Sequence, residues 1–234
     1  MAGGRYPKKL SAVVWDFDDT LADSIGARVY ALTQVFRDTD IEGIDPLGFM
    51  LNLPETNFEL SLIGLSDKLG KPSDLFERYK SLYWTKEPGL LQIYPGVHAL
   101  LHRLESQTIS QGLVTQKARS FHMEGVAAGV AVELEELGLT GMFPVVIGID
   151  DVLETKPHPE GVLKALNRLG VPPEHALVIG DTVTDIQAAQ AAGCWSCLAT
   201  WGVPDGASRA ARANPDFVME SPSGLLTLPF ARQA

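Results

Sequence analysis

The stretch "VVWDFDDTLADS", residues 13–24, sets three aspartates, Asp16, Asp18 and Asp19, at the end of an apolar run. Carboxylates held within a few ångströms cannot all stay ionised cheaply, because each raises the pKa of the next unless a cation sits among them. In an extended segment alternate side chains share a face, so Asp16 and Asp18 point one way, while Asp19 points elsewhere as the chain turns. One acid of that pair can be a nucleophile and the other a general acid/base. A carboxylate attacking phosphorus gives an acyl phosphate, and a second acid protonates the leaving oxygen and then activates water.

Further polar groups close later apolar runs. Thr115 ends "QGLVT", Lys156 lies in "ETKPHPE", and "ALVIGDTVTD" ends in Asp181 with Asp185 one helical turn beyond. An all-oxygen donor set suits a hard divalent cation, and Mg²⁺ is the usual choice where phosphate is also present. Asp16 and Asp181 are its expected ligands. Lys156 and Thr115 then face a phosphoryl group, one supplying charge and the other a hydrogen bond.

A parallel sheet is the element that gathers such groups, since open α/β sheets bind ligands at the carboxyl ends of their strands. The apolar runs predict strands at 12–17, 111–115, 144–149, 176–181 and 196–200, with a weaker one at 216–220. Helix-like segments at 97–105, 159–170 and 184–193 alternate with them, the mark of strand-helix-strand units. The interval 23–92 breaks this rhythm: it holds helix-like stretches at 25–37, 58–69 and 73–86, punctuated by Pro46, Pro54 and Gly70 to Pro72. It predicts a helical subdomain (23–92) inserted into an α/β core formed by 1–22 and 93–234. Seven Lys/Arg against eleven Asp/Glu leave the insertion at −4, no platform for a polyanion. Residues 117–141 read as one helix ending near Gly138.

"DFDDTL" at 16–21, Thr115, Lys156 in "KPHPE" and "GDTVTD" at 180–185 resemble, in order, the four motifs of the haloacid dehalogenase superfamily. The insertion between the first two motifs looks like the cap of the branch with phosphoglycolate phosphatases and β-phosphoglucomutases. The resemblance implies a Rossmann-like, doubly wound parallel sheet with an inserted helical cap that closes over the substrate. It implies that Asp16 is the nucleophile and becomes phosphorylated. Asp18 would be the acid/base, with its main-chain carbonyl also on Mg²⁺, and Asp181 a direct ligand. Asp185 would stand behind the metal ligands, and Thr20 would brace the first loop. Thr115, the Gln116 amide and Lys156 would hold the phosphoryl group. The sequence departs from the common pattern at Asp19, where glycine is frequent, and at "VTQK", where serine-asparagine-lysine is common. The 41 positions from Thr115 to Lys156 are also a long interval for this branch.

The expected activity is hydrolysis of a small phosphate monoester, with a phosphomutase using the same core as the enzymatic alternative. A phospho-accepting signalling module combines similar residues, but it lacks a large helical cap and carries its acceptor on a middle strand. A dehalogenase gives Asp18 no leaving oxygen to protonate. A net charge of −10 over 234 residues, with no Lys/Arg run, argues against nucleic acid or an anionic membrane as partner and leaves room for a small phosphorylated metabolite. The apolar run after "MAGGRYPKKL" is too short for a signal-peptide core, which predicts a cytoplasmic protein. "CWSC", residues 194–197, has no second pair to complete a zinc site and predicts buried core thiols. "GLSDKLGKP" at 64–72 fails as a P-loop, with five residues between its glycines and Pro72 in place of Ser/Thr.

Overall fold

The structure, a computed structural model, describes residues 7, 9–51, 58–87, 89–123, 125–202 and 206–227. Most of the cationic opening and Pro54 lie outside them. Strands buried on both faces read as continuous apolar runs, and β1 (Ala12–Trp15) is buried at every position. β4 (Ser110–Val114), β7 (Val145–Ile147), β8 (Ala176–Gly180), β9 (Trp195–Ala199) and β10 (Phe217–Met219) complete a six-stranded sheet in the order β10-β9-β8-β1-β4-β7. All its pairings are parallel.

Helices α5 (Val97–Ser106), α7 (Glu160–Leu169), α8 (Val183–Ala192) and α9 (Gly206–Ala213) lie between these strands in the chain. Val162, Ala165 and Leu166 recur at helical spacing along α7 and are buried with Val14, Val114 and Ile147 of the sheet, while Ala188 and Ala189 of α8 join the same core. The chain moves from β1 to β4 and β7 on one side, then returns to β8 on the other. That reversal opens a crevice at the carboxyl ends of β1 and β8. Trp15 pairs with Leu113 on one side and Ile179 on the other, so Asp16, Val114 and Gly180 stand abreast just beyond.

A second compact unit comprises Ser24–Gln92 with Met123–Val126. It contains α1 (Ile25–Asp38), α2 (Pro46–Leu51), α3 (Phe58–Leu69) and α4 (Leu75–Trp84). Leu32, Val35, Phe36, Leu62, Leu75, Tyr79 and Tyr83 form its own core. Two-residue strands β2 (Ala22–Asp23) and β3 (Gln92–Ile93) pair where the chain leaves and returns, too short to register as an apolar run.

The 117–141 interval is not one helix. Strands β5 (Phe121–Met123) and β6 (Val126–Ala128) pair before a seven-residue α6 (Val130–Glu136). Gly125 and Gly129 both adopt positive φ, which no α-helix accommodates, and their spacing breaks the helix that composition suggests. A Cβ at Gly129 would also stand 2.7 Å from the Arg119 carbonyl, so glycine lets the start of α6 lie against residues 118–119.

Candidate active site

Asp16, Asp181 and Asp185 are all buried, and each offers a carboxylate oxygen within 4.8 Å of the others. Asp16 follows β1 and donates its amide to the Ile179 carbonyl at 2.8 Å, which locks it to β8. Asp185 belongs to a capping box at the start of α8. Its Oδ2 accepts from the Thr182 amide at 3.0 Å, while its own amide donates to Thr182 Oγ1 at 3.2 Å. Any side chain at Gly180 would place its Cβ on the Asp185 carboxyl, so glycine admits that carboxyl to the strand end.

Lys156 Nζ lies 2.5 Å from Asp16 Oδ1 and 2.6 Å from Asp185 Oδ1, and donates to the Val114 carbonyl at 3.2 Å. Arg209 Nη1 donates to Asp181 at both its carbonyl (2.8 Å) and Oδ2 (3.0 Å). Thr20 Oγ1 approaches Asp181 Oδ1 at 3.4 Å, and the Trp201 indole donates to the Thr20 carbonyl at 3.0 Å. Burial pushes Asp16 up to about 7, with the Lys156 ammonium opposing and Asp185 and Asp18 adding to the rise. Burial, then the charges of Asp19, Asp16 and Asp185, raise Asp181 well above the carboxylate range against the pull of Arg209. Burial disfavours the charged form of Lys156, but the two carboxylates it touches outweigh that and raise it. These residues fit a hard divalent cation: their donors are all oxygen, and their mutual repulsion is relieved by the charge such an ion brings.

Asp18 stands apart from that trio and pairs instead with Lys117, whose Nζ is 2.8 Å from its Oδ1. Thr115, Gln116 and Lys156 line one recess beside Val114 and Gly148. Thr115 Oγ1 accepts the Lys117 amide at 3.2 Å, and Gln116 Nε2 donates to the Lys156 carbonyl at 3.2 Å, tying the second and third motif loops together.

Lys117, Glu133 and Arg209 at the site escaped the sequence reading, as did the place of Asp19 beside Asp181. Asp19 is buried, and close enough for its charge to raise Asp181. Its φ of +56° is the left-handed conformation, which favours glycine. Lys117 carried a signal in its position directly after Thr115 and Gln116. Glu133 sits three residues after Val130 on the buried side of α6, a signal visible only once that helix is known to start at 130. Arg209 lies far off in α9 and had none.

Residues 13–199 match the family model described as haloacid dehalogenase-like hydrolase. The chain belongs to that family. Among its relatives, phosphoglycolate phosphatase from Salmonella paratyphi A is 41% identical over 152 residues, which cover 65% of this chain and 56% of that protein. Phosphoglycolate phosphatase from Photorhabdus laumondii is 31% identical over 231 residues, covering 94% of this chain and 92% of that one. A haloacid dehalogenase-like hydrolase structure from Bacteroides fragilis superposes with a TM-score of 0.75 at 26% identity, covering 93% of this chain and 100% of that one. The two cysteines of this family member are free and buried, and burial pushes Cys194 up to about 12, so neither is a ready thiolate. No helix among the described residues is long and apolar enough to cross a membrane.

Proposed function

We propose that this hydrolase is a Mg²⁺-dependent phosphatase that cleaves a small phosphate monoester in the cytoplasm through a phosphorylated Asp16. The observation that carries the reading is the buried Asp16–Asp181–Asp185 cluster with Lys156 inserted at its edge. Asp16, Asp181 and the Asp18 carbonyl would hold Mg²⁺, with Asp185 behind them, and the ion would supply positive charge to the phosphoryl oxygens.

In the first step a carboxylate oxygen of Asp16 bonds to phosphorus as the ester P–O bond breaks, and the Asp18 carboxyl gives its proton to the departing oxygen. In the second, Asp18 takes a proton from water as that water attacks phosphorus, releasing inorganic phosphate and restoring Asp16. Lys156 and Thr115 orient the phosphoryl group by charge and hydrogen bond, the Gln116 amide adds a donor, and Thr20 braces the loop after Asp18. Because both relatives are phosphoglycolate phosphatases by name, 2-phosphoglycolate is the first substrate to test. Phosphate release from it and from a phosphometabolite panel should require Mg²⁺, stop with EDTA, and fall by about 10³-fold or more in Asp16→Asn. Full activity in that variant, or none from wild type with Mg²⁺ on any substrate, overturns the reading.

A further inference from the structure

Lys117 makes a second ion pair besides that with Asp18: Glu133 Oε2 lies 2.7 Å from Nζ. Glu133 is 1% exposed and Lys117 15%, and the Phe17 ring lies 5.0 Å from the ammonium. Leucine at this buried position of α6 would avoid the cost of desolvating a carboxylate, and buried ion pairs are poor devices for stability alone. The pair therefore calls for a use in the site.

The backbone around it is held at several points. The amides of Val130 and Ala131 donate to the carbonyls of Ala118 and Arg119, each at 3.0 Å, so the start of α6 is pinned to the loop that carries Lys117. The Lys117 amide donates to Thr115 Oγ1 at 3.2 Å, and its carbonyl accepts from the Ile149 amide at 2.9 Å. With both backbones fixed, Glu133 limits where the long lysine side chain can place its ammonium.

We propose that Glu133 and Lys117 are positioning residues: Glu133 fixes the Lys117 ammonium, which donates to Asp18 Oδ1 and so orients the carboxyl, in its protonated form, with Oδ2 carrying the proton that passes to the leaving oxygen. This rests on the reading of Asp18 as the general acid. As the bond from Asp16 to phosphorus forms and the ester P–O bond breaks, the electron pair stays on the departing oxygen, and that oxygen receives the Asp18 proton. In this role Lys117 and Glu133 act through Asp18 and not on the substrate or phosphorus.

The test is a series of substituted phenyl phosphates, extended to an alkyl phosphate, with wild type, Glu133→Gln, Lys117→Met and Asp18→Asn. A misplaced acid matters little to a good leaving group and much to a poor one. Both positioning variants should lose about tenfold or more in kcat/KM on the alkyl ester but under about threefold on p-nitrophenyl phosphate. Adding Glu133→Gln to Asp18→Asn should cost nothing further. Should a single variant not fold, Lys117→Met/Glu133→Leu replaces both buried charges with apolar groups and should show the same dependence. An equal loss on every substrate, or a full additional loss in the Asp18→Asn background, overturns the proposal. A flat leaving-group profile for Asp18→Asn itself would instead remove the acid role on which it rests.

Discussion

Six acids, Asp16, Asp18, Asp19, Asp181, Asp185 and Glu133, meet three cations, Lys117, Lys156 and Arg209, at one end of the sheet. The excess is negative and mostly buried, so a phosphate dianion is repelled unless a metal joins it. Asp19 isolates this effect because it adds charge near Asp181 while its backbone conformation is one that asparagine shares. Asp19→Asn should therefore raise the melting temperature in EDTA by about 2–4 °C, the shift that about 1 kcal/mol gives a chain of this size. It should also shrink the further rise on adding Mg²⁺, since the cation gains less from a weaker cluster. Paired melts with and without Mg²⁺ check both signs. The motif carboxylates were legible from type and spacing; the place of Asp19 beside Asp181 was not, because a single left-handed residue redirects a side chain without changing the composition around it.

Between Asp151 and α7 the chain must hold Lys156 steady without a strand. Glu160, the first residue of α7, does this from the helix end: it accepts from Lys164 at 2.6 Å and from the amides of Glu154 and Leu153 at 2.9 and 3.1 Å. The Lys164 hydrogen bond, then those amides, lower Glu160 from 4.5 to about 2. A carboxyl depressed on folding stabilises the native state above its unfolded pKa, and that contribution fades as pH falls toward the folded value. The melting-temperature gap between wild type and Glu160→Gln should thus be widest above about pH 5 and close toward about pH 2. A gap independent of pH would show that the loop is held by other means. β7 before this loop and α7 after it were legible to within two residues, because strands buried on both faces of the sheet demand unbroken apolar runs and the helix between them an apolar stripe. Residues 117–141 misled for the converse reason: Ala, Leu and Glu there suit a helix, and two glycines at positive φ override them.

At the scale of the chain, two cores are built from separate stretches of sequence. The helical unit packs Ala27 through Tyr83 among its own side chains, while the sheet core draws on Ala12, Val14 and residues from Val114 onward. Paired strands lie about 5 Å apart, so the pairing of β2 with β3 brings residues 23 and 92 close enough for a short flexible linker. Replacing residues 24–91 with a few Gly/Ser residues should therefore leave an α/β protein that still melts cooperatively, because the sheet has a hydrophobic core of its own. The clustered carboxylates Asp16, Asp181 and Asp185, like Asp18, all lie outside the excised stretch, so on the proposed reading the excised protein should also keep an upward melting shift with Mg²⁺. Circular dichroism melts with and without Mg²⁺ read both outcomes. A soluble product that loses ellipticity without a cooperative transition would mean that the sheet depends on the helices for stability. A cooperative melt that no longer responds to Mg²⁺ would mean that the three carboxylates alone do not form the cation site.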